Sequence, residues 1–184
     1  MIQKWKLLSS TDISPSKWFP VENRVYELPN GSIVDDFTVT TVADVALIIA
    51  ITKGKKVVLV RQYKPGVDEI TIEFPAGRKE PSHTDMIETA RAELEEETGI
   101  RAEKFEKFTE LSGFPTKATE RLYCFLTTDV EVNSTQHLDT NEQIEVLFYT
   151  PQELDDLIFS GKMIYGVNIA MWVLAKHKFP NLFH

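Results

Sequence analysis

Residues 72–100 of the chain include Ile-Glu-Phe-Pro-Ala-Gly at 72–77 and Ala-Arg-Ala-Glu-Leu-Glu-Glu-Glu-Thr-Gly-Ile at 90–100. The first part is apolar and then broken by proline and glycine, which predicts the end of a strand followed by a turn. The second part is rich in glutamate, alanine and leucine, which favour a helix. A strand, a turn and an acidic helix therefore form the centre around which the rest of the chain is interpreted.

The acidic helix needs residues that cap both of its ends. Thr84 or Ser82 can cap the N-terminus, and Asp85 suits the first helical turn. Gly99 stands where the end of a helix favours a left-handed residue. These signals predict a helix that begins just after residue 84 and ends at residue 98.

Three carboxylates converge on one border of this helix. Glu93 and Glu97 are one turn apart and lie along the edge of the apolar stripe that contains Leu94. Glu96 lies just beyond them, whereas Glu95 points away. Like charges this close are costly unless a cation lies between them, and hard divalent cations take oxygen ligands. The pattern predicts a metal site, and a solvated acidic face is the alternative.

The spacing of these residues resembles the signature of the Nudix hydrolases, which cleave nucleoside diphosphates linked to another group. Gly77 matches the first glycine of that signature. The second half of the signature is matched in register by Glu93, Leu94, Glu96, Glu97, Gly99 and Ile100.

The resemblance is incomplete at three points. Ala92 stands at the position of the family arginine, and Arg91 lies one residue too early. The loop carries one extra residue, so the first family glutamate falls at His83 or Thr84. The carboxylates that resemble the metal ligands are therefore kept, whereas the arginine that orients one of them is absent.

The composition limits the possible function. The chain has 184 residues, 42% hydrophobic and 26% charged, with a formal net charge of −8. This length suits one domain with a small appendage, and the acidic balance argues against nucleic acid as a partner. No apolar run approaches the ~20 residues that span a membrane, and we expect neither a signal peptide nor a membrane partner. The single cysteine, Cys124, suits a reducing, cytoplasmic location and is interpreted as a packed apolar residue.

The chain divides into a β-hairpin appendage at residues 1–41 and a main domain at 42–184. Strand-like residues 18–28 and 32–42 are joined by Pro-Asn-Gly, a strong hairpin signal. The two arms contain Trp18 and Phe37. Their rings either form the apolar face of the hairpin or stack on a base of the substrate.

Two apolar runs in the main domain, residues 42–51 and 57–60, are typical of strands buried on both faces. The second run ends at Arg61, and α/β folds place ligands at strand ends. Arg-Gln-Tyr at 61–63, followed by Glu-Phe-Pro-Ala-Gly, resembles the ADP-ribose and nucleotide-sugar branch of the Nudix hydrolases. Arg61 can hold a phosphate by two parallel hydrogen bonds, and a surface ion pair is the alternative.

The resemblance to this branch implies roles for further residues. The carbonyl of Ala76 corresponds to a metal ligand, and Glu73 either meets substrate or pairs with a lysine. Glu120 matches a glutamate that precedes an aromatic-rich strand, which implies substrate binding. A later loop supplies the general base in relatives, and Glu142 matches it better than Glu145.

The resemblance implies a fold of the α/β class, an α/β/α sandwich around a mixed β-sheet. It also implies hydrolysis of the diphosphate of a nucleoside diphosphate sugar, with ADP-ribose as the leading substrate. The expected cofactor is Mg²⁺, which Mn²⁺ can replace, on Glu93, Glu96 and Glu97; the last two also count as catalytic residues with Glu142. Relatives form a homodimer by exchanging the appendage. The alternatives are another nucleotide sugar such as GDP-mannose, or a module that senses a nucleotide without cleaving it.

Overall fold

The computed structural model describes residues 1–183 and divides the chain into two compact units. The first unit combines residues 1–43 with residues 112–121, and the second unit contains the rest of the chain. The hairpin appendage predicted for residues 1–41 thus lies in the first unit, which also includes a later loop.

The first unit contains a three-stranded antiparallel sheet in the order β1-β2-β3. The strands are β1 (Lys6–Asp12), β2 (Val21–Glu27) and β3 (Ile33–Thr40). The predicted hairpin between β2 and β3 is confirmed, and Gly31 in its turn has a φ of 83°, which glycine adopts without strain. The sequence analysis missed β1, because its residues are largely polar and fully exposed.

The second unit is built on a seven-stranded mixed sheet. Its central order is β10-β5-β4-β9-β8, with β6 paired to β5 and β7 paired to β4. The β4–β9 pair is parallel and the other pairs are antiparallel. The strands are β4 (Val45–Thr52), β5 (Val57–Lys64), β6 (Glu69–Glu73), β7 (Ala76–Arg78), β8 (Glu106–Leu111), β9 (Leu122–Val130) and β10 (Glu145–Tyr149).

Helices cover both faces of this sheet and complete the expected α/β/α sandwich. Helix α1 (Met86–Thr98) packs on one face, and α2 (Pro151–Phe159) and α3 (Gly166–Lys178) pack on the other. A short 3₁₀ helix follows at Pro180–Leu182. Within residues 1–183, no helix is both long and apolar enough to cross a membrane.

Strand β4 lies at the centre of the core, as its apolar run predicts. Leu47 and Ile49 face the α2 and α3 side, whereas Ala46 and Ile48 face α1, and all four are completely buried. Cys124 of the neighbouring β9 is also buried, and burial raises the pKa of its thiol to about 12. The interpretation of Cys124 as a packed residue is therefore confirmed.

The N-cap of helix α1 lies one residue after Thr84 and three residues after Ser82, the two expected caps. Asp85 is the N-cap, and its carboxylate accepts hydrogen bonds from the N–H groups of Ile87 (2.9 Å) and Glu88 (2.8 Å). The prediction of Thr84 or Ser82 was wrong, because Asp85 itself has extended backbone angles. Thr84 instead donates its N–H and hydroxyl to the Glu88 carboxylate.

Candidate functional site

Glu97 is held between α1 and the turn that follows β6. Its carboxylate accepts a hydrogen bond from the N–H of Ala76 at 2.9 Å. The pKa of Glu97 is raised to about 8, mainly because burial disfavours the ionised form. The negative charge of Glu93 adds to this increase, whereas the Ala76 N–H and the charge of Lys64 oppose it. The surrounding positive groups therefore do not fully stabilise the ionised carboxylate of Glu97.

Glu93 lies one helical turn earlier and is packed against Gly77. A Cβ added at Gly77 would fall 1.9 Å from the carboxyl carbon of Glu93, so only glycine leaves room for this side chain. The pKa of Glu93 is raised to about 7, mainly by burial and then by the charges of Glu96 and Glu142. The first glycine of the signature therefore makes space for a carboxylate of its second half.

Glu96 is exposed, and its pKa is raised mainly by partial burial and then by the charge of Glu80. Glu95 points elsewhere, as expected, and its carboxylate pairs with Arg101 at 2.6 Å. This hydrogen bond lowers the pKa of Glu95. We call Glu93, Glu96 and Glu97 the acidic edge. Within residues 1–183, none of these three carboxylates pairs with an arginine as Glu95 does.

The donor chemistry of the acidic edge fits a hard divalent cation. In the described part of the chain, no group of three or more His, Cys, Asp and Glu side chains is placed so that it could hold a metal ion. Mg²⁺, however, usually takes one or two carboxylates and completes its shell with water and substrate phosphates. The half-buried Glu93 and the buried Glu97, both with raised pKa values, match that mode. Ala76 supplies its N–H to Glu97, and its carbonyl as a ligand stays a prediction.

The loop at residues 131–144 is attached to the C-terminal end of α1. The N–H groups of Ser134 and His137 donate to the carbonyls of Gly99 and Glu96, both at 2.9 Å. The last carbonyls of a helix lack partners within it, so these bonds satisfy groups that would otherwise need water. Gly99 has the expected left-handed conformation, with φ 69°. The first half of this polar loop is therefore hydrogen-bonded to the end of α1.

Glu142 lies in the second half of this loop, beside the acidic edge. Its charge raises the pKa values of both Glu93 and Glu96. Its carboxylate accepts a hydrogen bond from the N–H of Asp139 (3.2 Å), and its own N–H donates to the Asp139 carbonyl (3.0 Å). The structure thus brings the predicted general base close to the predicted metal ligands, in a turn that holds its carboxylate.

Arg61 forms an ion pair with Glu145, which is its direct partner in the β5–β10 register. The alternative of a surface ion pair is therefore present in the structure, and it occupies the carboxylate of the second candidate base. Both side chains are about half exposed, so a phosphate can reach the guanidinium. They face a cavity of about 750 Å³ that is lined by Arg61, Gln62, Tyr63, Ile70, Leu138, Glu142, Gln143, Ile144 and Glu145.

Glu73 is buried and pairs with a lysine, which is the alternative that its sequence context left open. Its carboxylate lies 3.1 Å from the Lys64 ammonium and accepts a hydrogen bond from Thr71 at 3.3 Å. The charges of Glu73 and Lys64 both act on Glu97, so the pair lies near the acidic edge. It borders a smaller cavity of about 370 Å³ lined by Lys64, Val67, Thr71, Glu73, Ile164 and Tyr165.

The remaining candidates belong to the first unit. Trp18 is 74% exposed, and the Lys17 ammonium lies over its ring, 4.5 Å from the centroid. Phe37 is half-buried in an aromatic cluster, edge-on to Trp5 and Tyr26, each at 5.7 Å between ring centroids. Glu120 is partly buried, and among residues 1–183 its Oε2 atom has no hydrogen-bond partner. Their roles in substrate binding stay predictions.

Sequence reasoning missed three residues that shape this site. Gln136 bridges α1 and β10, Lys64 balances Glu73, and Asp139 holds Glu142. Lys64 could have been found from the sequence, because it follows the Arg-Gln-Tyr stretch at the end of a buried strand, where ligand-binding residues are expected. Gln136 and Asp139 lie in a polar stretch without periodicity, where no pattern marks one residue above another.

Comparisons with known proteins show the family and the fold of this chain. The family model described as "NUDIX domain" matches residues 41–165. An ADP-ribose pyrophosphatase of Bacillus subtilis (strain 168) is 33% identical over 138 residues, 74% of each chain. A methanol dehydrogenase activator of Bacillus methanolicus is 30% identical over 159 residues, 83% of this chain and 85% of that protein. A crystal structure of an ADP compounds hydrolase superposes with a TM-score of 0.85 at 21% identity, covering 98% of this chain and 97% of its own.

Proposed function

Because this chain belongs to the Nudix family of hydrolases and is an enzyme, we propose that it cleaves the diphosphate of a nucleoside diphosphate sugar. The proposed substrate is ADP-ribose, and the products are AMP and ribose 5-phosphate. The observation that carries the proposal is the pair of neighbouring glutamates at the family signature, the half-buried Glu93 and the buried Glu97, both with raised pKa values. The similarity to an ADP-ribose pyrophosphatase supports the choice of substrate.

Nudix hydrolases generally need a divalent metal ion, and we assign Mg²⁺, with Mn²⁺ as a substitute, to the acidic edge. Glu93 and Glu97 would hold the ion, and Glu96 and the carbonyl of Ala76, which complete the predicted ligand set, would have to move to reach it. Bound there, it would offset the charge of the diphosphate and the charge that develops on the leaving oxygen. A cation bound there would favour the ionised forms of Glu93 and Glu97. It would thereby lower their pKa values, which burial and neighbouring negative charges raise.

The chain's own residues have three roles in this proposal. Glu142 takes a proton from the attacking water, whose oxygen forms a bond to one phosphorus of the diphosphate. The bond from that phosphorus to the bridging oxygen then breaks, and the second phosphate leaves with that oxygen. Arg61 orients the diphosphate with its planar guanidinium. The Asp139 N–H occupies only Oε2 of Glu142, so the second carboxylate oxygen can accept the proton of the water.

The first unit takes part through its aromatic residues and through association. Trp18 and Phe37 supply faces on which a base can stack, and Glu120 is assigned to substrate binding because it matches the loop glutamate of the resembling branch. We include a homodimer in the proposal, because the first unit exposes a set of large apolar residues that a second copy would cover. These are Trp5, Leu7, Leu8, Ile13, Trp18, Phe19 and Ile33.

The test is product analysis with a panel of ADP-ribose, GDP-mannose and other nucleotide sugars, with Mg²⁺, with Mn²⁺ or with a chelator. We expect a nucleoside monophosphate and a sugar phosphate, fastest from ADP-ribose and absent with the chelator. Reaction in ¹⁸O-labelled water shows which phosphorus is attacked, because the label appears in one product. Calorimetric binding of a nucleotide sugar without any product would instead identify a sensor and would overturn the proposal.

A further inference from the structure

Gln136 joins the two ends of the loop that carries Glu142. Its side-chain Nε2 donates to the carbonyl of Glu97 at 2.7 Å and to the carbonyl of Ile144 at 3.2 Å. Glu97 lies in the last turn of α1, and Ile144 directly precedes β10. One amide group therefore ties the end of the acidic helix to the start of a strand in the central sheet.

The Gln136 bridge joins the two ends of residues 137–144, the segment that places Glu142 relative to the acidic edge. The loop leaves α1 at His137, whose N–H bonds the Glu96 carbonyl, and it rejoins the sheet at Ile144, which is buried. Between these two points the chain is exposed except for the half-buried Leu138, and its recorded hydrogen bonds run between Asp139 and Glu142. Without the Gln136 amide, the two ends of the exposed turn would lose their direct side-chain link.

We propose that Gln136 is a positioning residue, which holds the Glu142 turn at a fixed distance from the acidic edge of α1. The proposal rests on the function assigned above to Glu142. Glu142 is only two residues from Ile144, so a displacement at Ile144 is transmitted almost directly to its carboxylate. The Glu142 carboxylate can then accept a hydrogen bond from a water molecule while the ends of the loop stay in place. Misplacing a reacting group by about 1 Å can cost ~10²-fold in rate.

The kinetic test uses Gln136→Ala and Gln136→Glu, with Thr135→Ala as the control. Glutamate keeps the length of the side chain but replaces the donating amide by a carboxylate, which repels both carbonyls. We expect kcat to fall by about 10- to 100-fold in both Gln136 variants, with KM nearly unchanged. Thr135, whose hydroxyl lies 3.4 Å from the His137 ring, should tolerate alanine. Wild-type kcat in Gln136→Glu, or an effect on KM alone, would overturn the proposal.

A double-variant cycle separates positioning from a general loss of stability. If Gln136 acts through Glu142, Gln136→Ala should lower kcat no further in a Glu142→Gln background. An equal loss in both backgrounds would show that Gln136 acts on something else, and would overturn the assignment.

Hydrogen–deuterium exchange tests the bridge without any substrate. Amides of residues 137–144 should exchange faster in both Gln136 variants than in wild type and in Thr135→Ala, while the interior of α1 stays protected. Unchanged exchange in this segment would refute the bridge even in an active enzyme. Faster exchange in a chain that cleaves no nucleotide sugar would keep the bridge and refute the proposed function instead.

Discussion

The carboxyl group of Glu93 lies directly against the backbone of Gly77, where a Cβ would fall 1.9 Å from the carboxyl carbon. Gly77 belongs to β7 and Glu93 belongs to α1. The φ of Gly77 is not positive, so its backbone conformation does not require glycine. Glycine is required because the Glu93 carboxyl group approaches its Cα so closely. The contact couples the turn after β6 to the helix that carries the acidic edge.

The first prediction concerns Gly77→Ala. The added methyl group must displace the end of a flexible glutamate side chain, so we expect the fold to persist while Glu93 leaves its place. Activity should fall by about 10²-fold, because one carboxylate is displaced by more than an ångström, and the midpoint of thermal unfolding should change little. Gly54→Ala is the matched control, since its Cβ would lie 3.8 Å from the nearest recorded atom. Wild-type turnover in Gly77→Ala would show that the position of Glu93 does not matter.

Glu97→Gln should nearly abolish turnover and leave the fold intact. The amide oxygen can still accept the Ala76 N–H, so the contact with the turn is kept. The negative charge is lost, and removing one electrostatic stabiliser of a transition state costs about 10²–10³-fold in kcat. Glu95→Gln, on the same helix but paired with Arg101, serves as the control. Comparable activity of Glu97→Gln and wild type would remove the metal-site assignment.

The stability of the metal-free protein should fall as pH rises between about 4.5 and 8. The unfolded chain releases the protons of Glu93 and Glu97 near pH 4.5, whereas their pKa values in the folded chain are about 7 and 8. Over this interval the folded state binds more protons, so raising the pH favours unfolding. Thermal unfolding in the presence of a chelator measures this slope.

Added Mg²⁺ should counteract the loss, and its stabilising effect should be larger at pH 8 than at pH 5. At the higher pH the folded carboxylates ionise and need a counter-charge. The variant with both Glu93→Gln and Glu97→Gln should show a flatter pH dependence and a weaker response to Mg²⁺. A slope and a response equal to those of wild type would contradict the assignment of both effects to these residues.

Ala92→Arg should raise activity. Each charge that acts on Glu93 in the structure raises its pKa, and an arginine next to it would supply the missing positive charge. An outer-shell partner of this kind is typically worth about 10- to 100-fold in activity or metal affinity. Steady-state rates at several Mg²⁺ concentrations test the change, with Ala92→Gln as a control of similar length without the charge. An unchanged or lower rate would count against an orienting role.

Glu142→Gln should reduce kcat much more than it changes KM, because a general base acts on the water and not on substrate affinity. Glu145→Gln should give the opposite pattern, with the main effect on KM, since Glu145 pairs with Arg61. Michaelis–Menten profiles of the two variants with ADP-ribose distinguish these roles. If Glu142→Gln changed only affinity, Glu142 would be reassigned to substrate binding.

Much of the second unit could be predicted because its signals are local. The run that became β4 is apolar at successive positions, so a strand buried on both faces was the natural interpretation. Gly99 likewise marks a helix end through a single residue. The register of Glu93, Glu96 and Glu97 follows from helical periodicity alone.

The parts that sequence reasoning missed depend on contacts between distant residues. Strand β1 is polar, and it forms by pairing with β2 and not through an apolar pattern of its own. The attachment of residues 133–137 to α1 relies on main-chain carbonyls, which every residue possesses and which therefore leave no mark in the sequence. The partner of Arg61 depends on the β5–β10 register, which the sequence does not reveal. The sequence was therefore compatible with either a substrate phosphate or a carboxylate of the chain as that partner.

The buried thiol of Cys124 gives the protein a built-in reporter of its own opening. Only the thiolate reacts readily with alkylating reagents, and this group is fully buried with a pKa of about 12. Because the chain contains one cysteine, each labelled molecule records one event in which the core between the sheet and helices α2 and α3 opened far enough to admit the reagent. The labelling rate therefore measures how often this core opens, and a ligand that binds the closed form would lower that rate.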